Sequence, residues 1–430
     1  MPRAIINTDT TPNVHLVNNP VTPWRRISNI DIVRGIIMLL MAVDHVRVYS
    51  GVPAGGPTPG VFFTRWITHF VAPAFCFLAG TGIWLYARKF HTKAPVARFL
   101  VTRGLWLIFL ELTVLRLAWT FNVDFRHYML AGVIWMLGWC MVLLSALVFL
   151  PPAFVGIFGL VVICTHNILD LFASQIYAAL EPSSWAWIAQ VVYYGGTVHV
   201  GHNGPPLQIL YSIVPWIGVM AAGYWYGTLT SAEPSKQRRW NLLLGAVCIA
   251  FFIVLRSVDV YGDPRPWNPH PEPQAHAQNV SAPTAPQRTV HPRPPAVIRF
   301  LNTNKYPASL DFLLMTLGPM LLGLGIFQTS HNALTRLLET YGRVPMFYYM
   351  LHIPLIHALA LAVCAVRTPT AMWWLFGNHP MSPPPLPDGY MWSLALLYAV
   401  WLVAVAILYL PCRWYARVKG SRKYPILSYL

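Results

Sequence analysis

Charged side chains are scarce in this chain. Only 10% of its 430 residues are Asp, Glu, Lys or Arg, whereas 56% are hydrophobic. Soluble domains carry about 25% charged residues, so this composition excludes an ordinary soluble domain and indicates an integral membrane protein with the lipid bilayer as its surroundings. The formal net charge is +16, but the basic residues stand at the ends of apolar segments and form no single patch. Membrane anchoring explains that distribution, and we expect no nucleic-acid partner.

Cysteine and glycine motifs are lacking as well. The six cysteines stand one at a time in or beside apolar segments, without a CxxC pair or the Cys/His spacing of a zinc site, so they predict neither a disulfide framework nor a bound metal. No P-loop or GxGxxG spacing is present, and Gly35 and Gly80 are expected to serve close helix packing rather than phosphate binding. Residues 1–24 lack the apolar core of a cleavable signal peptide, so the first apolar segment is expected to target the chain.

Ten apolar segments can be distinguished. Because a membrane-spanning helix needs about 20 apolar residues, the sequence predicts an all-α fold, a polytopic bundle of about 10 transmembrane helices, with about eight or about eleven spans as alternatives. A single transmembrane domain is expected at 27–412. A short Trp- and Tyr-rich segment at 184–194 is typical of an interfacial helix. The ten predicted spans are 29–49, 61–87, 104–121, 129–150, 153–172, 206–229, 240–258, 308–328, 343–366 and 391–411.

The distribution of Lys and Arg orients this bundle. These residues concentrate in the connections on the side of the N-terminus, and the positive-inside rule places such connections in the cytoplasm. Both termini are therefore expected to be cytoplasmic, with a polar tail at 1–26 and a basic tail at 413–430. The Pro-rich loop 259–305 then lies outside the cytoplasm, and its low hydrophobicity predicts an extended or partly disordered segment.

Ionisable residues inside the predicted spans indicate a functional site. Each costs about 2.5–3.5 kcal/mol to insert and usually faces a polar interior. Asp44, His45 and Arg47 fall near the outer end of the first span, and Arg65 and His69 in the outer half of the second. Because at least seven spans direct such groups toward this outer layer, we expect one buried chamber on that side. The other members of the layer are Arg116, His166, Asp170, Arg256, Asp259, Asp311, His352 and His357.

Structural interpretations exist for the same residues. Asp31 and Arg34 have the i, i+3 spacing of an ion pair, although Arg34 is alternatively placed to meet the phosphates of a cytoplasmic donor. Asp44 and Arg47 have the same spacing and are able to neutralise each other. Arg116 and Arg256 are expected to hold the bundle together as pairing partners, an interpretation favoured slightly over contact with substrate.

Four stretches of this chain resemble the bacterial branch of the heparan-α-glucosaminide N-acetyltransferase-like membrane family. They are the opening hairpin RISNIDIVRG…LMAVDHVR with FFTRWITHFVAPAFCFLAGTG, NKYPASLDFLLMTLGP from Asn304 to Pro319, YGRVPMFYYMLHIPLIH from Tyr341 to His357, and the closing CRWYARVKGSRKYPILSYL. The resemblance extends from about Arg26 to the C-terminus. It implies a transmembrane acyltransferase in a bacterial-type inner (cytoplasmic) membrane, with no tightly bound cofactor.

The resemblance also implies a reaction. In the lysosomal member, acetyl-CoA supplies the acetyl group from the cytosol and a terminal glucosamine accepts it on the far side. A polar residue late in the first span and a histidine in the following loop are the implicated catalytic pair. Asp44 stands at the first of these positions, where the lysosomal member has asparagine, whereas the loop from Gly51 to Gly60 contains no histidine. A catalytic histidine must then come from His45 or His69.

Acyl transfer needs a base, a stabilised oxyanion and aligned substrates. We predict His69, oriented by Asp44, as the base, with His45 as the second candidate. Arg47 or Arg65 is expected to hold an anionic acceptor or the oxyanion. One of His352 and His357 is expected to line the donor path, with His352 preferred. Asn304, Lys305 and Asp311 are predicted to bind a sugar hydroxyl or phosphate, and a role in starting and anchoring the helix is supported equally well.

The function predicted from the sequence is transfer of an acetyl or acyl group from a cytoplasmic acyl-CoA to an extracytoplasmic sugar or glycolipid. The first alternative is a transporter or proton-coupled carrier that uses the buried His, Asp and Arg residues as a relay. The lack of an internal repeat speaks against it. The second alternative is a catalytically degenerate scaffold, which the missing loop histidine supports.

Overall fold

The computed structural model describes residues 27–420 except 57, 127, 181–184, 200, 202–203, 269–293, 331 and 382. The predicted tail at 1–26, the end of the predicted basic tail and the middle of the Pro-rich loop thus lie outside the described residues. Helices make up most of the described chain, which confirms the all-α class. Six helical stretches are long and apolar enough to cross a membrane: Pro59–Ala87, Pro152–Leu171, Pro234–Val258, Leu310–Thr329, Pro345–Arg367 and Leu394–Lys419.

Helices occur at each of the ten predicted spans, but the count of about 10 crossings stays a prediction. The helices Val133–Leu147 and Val214–Tyr226 have only 15 and 13 residues, and the helix Ser28–Ser50 carries four Asp and Arg residues. The α-helices are α1 (Ser28–Ser50), α2 (Pro59–Trp66), α3 (Val71–Ala87), α4 (Ala94–Leu110), α5 (Arg116–Thr120), α6 (Val133–Leu147), α7 (Pro152–Thr165), α8 (Ile168–Leu171), α9 (Ala173–Leu180), α10 (Ala186–Ala189), α11 (Val214–Tyr226), α12 (Pro234–Val258), α13 (Ala296–Leu301), α14 (Leu310–Ile326), α15 (Ala333–Gly342), α16 (Pro345–Arg367), α17 (Met372–Leu375) and α18 (Leu394–Gly420).

Wider helical turns and 3₁₀ turns extend several of these helices. A π-helical turn at Glu111–Leu115 joins α4 to α5, and another at Gln190–Tyr194 follows α10, where the sequence predicted an interfacial helix. The 3₁₀ turns lie at Gly227–Ser231 after α11, Phe327–Thr329 after α14 and Pro369–Ala371 before α17.

A small sheet was missed by the sequence analysis. Strands β1 (Met129–Ala131), β2 (Gly196–His199) and β3 (Pro206–Ile209) pair in the order β1-β3-β2, parallel in the first pair and antiparallel in the second. The predicted spans at 129–150 and 206–229 therefore begin as extended chain. Their apolar residues continue the hydrophobic runs of α6 and α11, so hydropathy alone gives no sign of the change.

The second predicted span is broken between α2 and α3. Pro73 has no amide hydrogen, so the carbonyl of His69 receives no helical hydrogen bond. The intervening amides bond three residues back instead, with His69 N bonded to Trp66 O at 2.9 Å and Val71 N to Thr68 O at 3.3 Å. His69 lies on this tight turn rather than on the face of a regular helix, and its side chain is buried in the protein.

Helix α1 lies at the centre of the bundle and contacts α3, α14, α15, α16 and α18. Close approach depends on glycine, as the sequence analysis expected. A Cβ at Gly35 would lie 2.0 Å from the carbonyl oxygen of Leu338 on α15, and one at Gly80 would lie 2.1 Å from that of Met220 on α11. Helix α1 ends at Gly51, whose φ of 72° is the left-handed conformation typical of a helix stop.

The described ends of loop 259–305 are folded rather than extended. Arg256, at the end of α12, is 1% exposed and donates hydrogen bonds to the carbonyls of Phe300 at 3.1 Å and Arg265 at 2.9 Å. Trp267 packs edge-on against Phe300, with 5.3 Å between ring centroids. One buried guanidinium thus ties both ends of the loop to the bundle, which supports the interpretation of Arg256 as a residue that holds the bundle together.

Candidate active site

A chamber of about 670 Å³ lies between the α2–α3 turn and the segment that precedes α14. Four predicted site residues line it, namely Arg65, His69, Asn304 and Lys305, and Arg265 joins them from the folded end of the loop. Three of these five side chains are cationic, and no Asp or Glu occurs among the lining residues that the structure describes. Such a wall favours a ligand that carries negative charge.

Asp44 lies behind the chamber wall and binds two arginines. Its Oδ1 accepts a hydrogen bond from Arg47 Nε at 2.9 Å, and its Oδ2 accepts one from Arg65 Nη1 at 2.7 Å. We call these three residues the Asp44 cluster. With one carboxylate and two guanidinium groups the cluster keeps one positive charge. The Asp44–Arg47 pairing is the structural alternative considered from sequence, and Arg65 turns toward Asp44 and the chamber rather than toward lipid.

The predicted contact between Asp44 and His69 is not formed among the described residues, and the carboxylate oxygens of Asp44 accept from Arg47 and Arg65 instead. His69 is 6% exposed and its Nδ1 has no hydrogen-bond partner in the described part of the chain. Its ring meets Phe312 of α14 edge-on, with 5.5 Å between centroids. The structure therefore brings His69 to the chamber wall but leaves it without the orienting carboxylate that the sequence analysis assigned to it.

Tyrosines that the sequence analysis did not single out complete the chamber side of the cluster. Arg65 Nη2 donates to the hydroxyl of Tyr306, which in turn donates to that of Tyr211, both at 3.4 Å. Lys305 Nζ lies 5.2 Å from the centroid of the Tyr306 ring and 6.0 Å from that of Tyr211. Tyr306 stands inside the quoted NKYPASL stretch, so its neighbours Asn304 and Lys305 were the available signal.

Lys305 precedes α14 and lies outside the spanning helices. It is 6% exposed, and no carboxylate forms a salt bridge with it among the described residues. Burial lowers the pKa of this ammonium group, and the nearby positive charge of Arg65 lowers the pKa further. A bound anion would supply the counter-charge that the protein does not provide.

His45 and His352 meet on the other side of Asp44. His45 Nδ1 lies 2.6 Å from His352 Nε2, and the two rings stack with 4.7 Å between centroids. We call these two residues the histidine pair. The edge-on ring of Trp119 at 4.8 Å packs against His45. His357 is separate from this pair and stacks between Phe121 at 4.0 Å and Tyr49 at 4.8 Å.

Asp311 does not line the chamber. Its Oδ2 lies 3.9 Å from Arg256 Nη1, and Asp263 Oδ1 lies 3.7 Å from the same nitrogen. Asp263 Oδ2 also accepts hydrogen bonds from the backbone amide of Asn304 at 2.6 Å and from Ser309 Oγ at 2.8 Å. This network fixes the segment that carries Asn304 and Lys305, so the helix-starting interpretation of Asp311 agrees with the structure better than a sugar contact.

Two further arginines have structural partners. Arg34 lies near the start of α1, with Nη1 3.8 Å from Asp31 Oδ1 and Nη2 donating to the carbonyl of Leu78 at 2.9 Å. Arg116 donates to the carbonyl of Tyr128 at 2.9 Å and to Thr120 Oγ1 at 2.7 Å. Arg116 thereby holds the chain that follows α5, which agrees with the pairing interpretation. Neither arginine lines the chamber.

The family model of the heparan-alpha-glucosaminide N-acetyltransferase catalytic region matches residues 26–257, more than half of the 430 residues. The match contains the Asp44 cluster, His45 and His69, and it ends just before the loop that supplies Arg265 and Lys305. No curated protein matches the chain.

Proposed function

This chain belongs to the heparan-alpha-glucosaminide N-acetyltransferase catalytic family, and from that premise we propose that it transfers an acetyl group from cytoplasmic acetyl-CoA to a sugar or glycolipid across the membrane. Membership in the family makes the protein a membrane acetyltransferase. The proposal adds the donor, the acceptor class and the direction of transfer. It also keeps the orientation expected from sequence, with both termini in the cytoplasm of a bacterial-type cell and the end of α1 directed outward.

The observation that carries the proposal is the chamber at the end of α1, which borders the Asp44 cluster and His69. A chamber of about 670 Å³ has room for one sugar unit with its substituents. The acceptor sugar would lie there, and its amine or hydroxyl would extend past the Asp44 cluster toward His45, which does not itself line the chamber, and attack the thioester carbonyl of the donor. The cluster's surplus positive charge would stabilise the oxyanion that forms on that carbonyl.

We assign the base to His45 rather than to His69. A histidine is an effective base when its second nitrogen is held by a fixed partner, because the hydrogen-bonded partner sets the tautomer. His45 has such a partner in His352, at 2.6 Å, whereas Nδ1 of His69 has none among the described residues. His69 is then a residue that contacts the acceptor from the chamber wall.

The acceptor is proposed to carry an anionic group near Lys305. Lys305, Arg265 and Arg65 present positive charge to the chamber, and Asn304 adds an uncharged polar side chain. A phosphate or carboxylate on the sugar would pair with Lys305, a buried cation of the chamber wall that forms no salt bridge with a carboxylate in the described chain. A free sugar without such a group is expected to bind more weakly.

The donor is proposed to approach from the opposite end of α1. Arg34 lies there with its side chain 24% exposed, and it remains our candidate for a contact with the phosphates of acetyl-CoA. His357 is held in its aromatic stack, whereas His352 contacts His45, so of the two α16 histidines His352 is the one that we connect with the reaction.

Mass spectrometry of envelope glycans and glycolipids from cells with and without the protein tests this function. The expected result is one species that lacks the mass increment of an acetyl group when the protein is absent. Purified protein should also release CoA from labelled acetyl-CoA in detergent, without a gradient across a membrane. Uptake of an unmodified sugar into vesicles, without any acetylated product, would establish the carrier instead.

A further inference from the structure

The contact between His45 of α1 and His352 of α16 joins a half-buried and a fully buried imidazole without a carboxylate between them. The nitrogens Nδ1 of His45 and Nε2 of His352 are 2.6 Å apart, and the ring planes are inclined by 21°. A hydrogen bond between two imidazole nitrogens requires one protonated and one unprotonated nitrogen. The backbone around His352 determines which is which.

His352 has a fixed tautomer. Its Nδ1 lies 2.7 Å from the carbonyl oxygen of Tyr349 and 3.2 Å from that of Tyr348. A carbonyl oxygen only accepts, so Nδ1 of His352 carries the hydrogen. The ring is fully buried and no carboxylate contacts it in the described part of the protein. An isolated charge is unfavourable in such surroundings, so His352 is neutral and its Nε2 presents a lone pair.

The tautomer of His45 follows from that of His352. Nδ1 of His45 must donate to the lone pair of His352 Nε2, which leaves Nε2 of His45 unprotonated while the ring is neutral. Nε2 of His45 has no hydrogen-bond partner among the described residues, and it is not one of the fully buried polar atoms. The chain of groups is thus the Tyr349 carbonyl, His352, His45 and an accessible basic nitrogen.

We propose that His352 is a positioning residue that holds His45 in the tautomer whose Nε2 accepts the acceptor's proton. The inference rests on the proposed function. As the acceptor nitrogen or oxygen forms its bond to the acyl carbon, its proton moves to His45 Nε2 and the carbonyl becomes an oxyanion. The oxyanion then collapses, the carbon–sulfur bond breaks, and the same proton passes from His45 to the thiolate of CoA. His45 is neutral again at the end of the cycle.

Two substitutions of His352 separate positioning from packing. The His352→Leu side chain fills similar space but offers no acceptor to His45, and the His352→Gln side chain offers an amide oxygen. We expect His352→Leu to lower kcat about 100-fold, the range of a lost acid–base contribution, with the KM for acetyl-CoA changed less than about twofold. We expect His352→Gln to retain kcat within about tenfold of the wild type. The assay uses acetyl-CoA with glucosamine as the acceptor probe, and thermal unfolding compares the folding of the two variants.

Nitrogen NMR of the wild-type protein, labelled with ¹⁵N in its histidine rings, reads the tautomer without any assay of activity. The proposal expects His45 with a protonated Nδ1 and an unprotonated Nε2 at neutral pH, assigned by the signal that disappears in a His45→Gln variant. A His45 ring protonated at Nε2 would overturn the proposal, and so would a His352→Leu variant with wild-type kcat. Wild-type protein that transfers no acetyl group in any form would instead refute the proposed function, while the NMR result would still decide the tautomer.

Discussion

Arg65 of α2 binds Asp44 of α1 with 2.7 Å between Nη1 and Oδ2. The two residues come from separate predicted spans, and their contact fixes the position of α2 over the end of α1. Oδ1 of Asp44 accepts from Arg47 at 2.9 Å, and no hydrogen bond joins the carboxylate to His69 in the described part of the chain. The chamber wall is therefore cationic and has no carboxylate–histidine couple among the described residues.

Removal of the Asp44 charge should destabilise the protein. The Asp44→Asn variant leaves two buried guanidinium groups facing each other, and loss of one partner of a buried pair costs about 3–5 kcal/mol. Thermal unfolding in detergent measures the effect. Asp31→Asn is the matched control, since Asp31 lies 3.8 Å from Arg34, whereas Asp44 lies within 2.9 Å of two arginines. That control is expected to lose less stability than Asp44→Asn, and equal losses for both variants would contradict the central role of the Asp44 cluster.

Replacement of each candidate base should give a different kinetic effect. His45→Ala is expected to lower kcat at least about 100-fold, because general-base catalysis is lost. His69→Ala is expected to raise the KM for the acceptor while kcat stays within about tenfold, because the chamber loses a wall contact but keeps the base. Steady-state kinetics with acetyl-CoA and glucosamine separate the two effects. A larger loss of kcat in His69→Ala would return the base assignment to His69.

Selectivity for an anionic acceptor should depend on Lys305. A hydrogen bond to a charged group contributes about 1.5–3 kcal/mol, or roughly tenfold or more in affinity. Lys305→Met should lower the preference for glucosamine 6-phosphate over glucosamine by about that factor, and Lys305→Arg should retain it. Lys236→Ala is the control, because Lys236 is exposed at the start of α12 and does not line the chamber. An unchanged preference in Lys305→Met would show that the chamber does not select for charge.

The same preference should decline at alkaline pH. Burial and the charge of Arg65 lower the pKa of Lys305 below its usual value, so the ammonium group loses its proton at a lower pH than a free lysine. The affinity for glucosamine 6-phosphate is therefore expected to be full below the lowered pKa and to weaken as the pH rises through it. Lys305→Arg should remove this decline, because arginine stays charged throughout that range. KM measured against pH for both proteins decides the point, and parallel profiles would contradict it.

The close contact between α3 and α11 at Gly80 should leave no room for a side chain. A Cβ there would lie 2.1 Å from the carbonyl oxygen of Met220, so Gly80→Ala must push α3 away from α11. Overpacking of this kind costs about 1–3 kcal/mol. Gly323→Ala in α14 is the matched control, because its new Cβ would meet nothing nearer than 3.6 Å. Unfolding in detergent should show a loss for the first variant and none for the second.

The helices were predictable because hydrophobic length is local information. The pair of prolines at 151 and 152 separates α6 from α7 as expected, and the i, i+3 spacing of Asp44 and Arg47 correctly indicated an ion pair. Depth placed Arg65 and His69 in the outer layer, and Asn304 and Lys305 were singled out just before the eighth predicted span; the structure brings all four to one chamber.

The partners of the polar groups were not predictable to the same extent. The depth of Asp44 and His69 along their spans placed them in one layer, but the sequence does not give the direction in which each side chain points around its helix axis. The turn before Pro73 changes that direction for His69. Asp311 lies beside Arg256 and not in the chamber wall, and this contact joins distant parts of the chain. Tyr211 and Tyr306 were overlooked because aromatic residues in a membrane protein usually serve interfaces and packing, so only coordinates distinguish those near a site.

The two folded ends of loop 259–305 contribute Arg265, Asn304 and Lys305 to the chamber, while the Asp44 cluster and His45 come from the family-matched region. On the proposed function, the loop ends supply contacts to the acceptor beside Arg65 and His69, and they lie outside the family-matched region. A relative that exchanged only this loop is then expected to change its preference among acceptors and to keep the Asp44 cluster and His45. Arg256, which clamps both ends, is the residue that such an exchange would have to preserve.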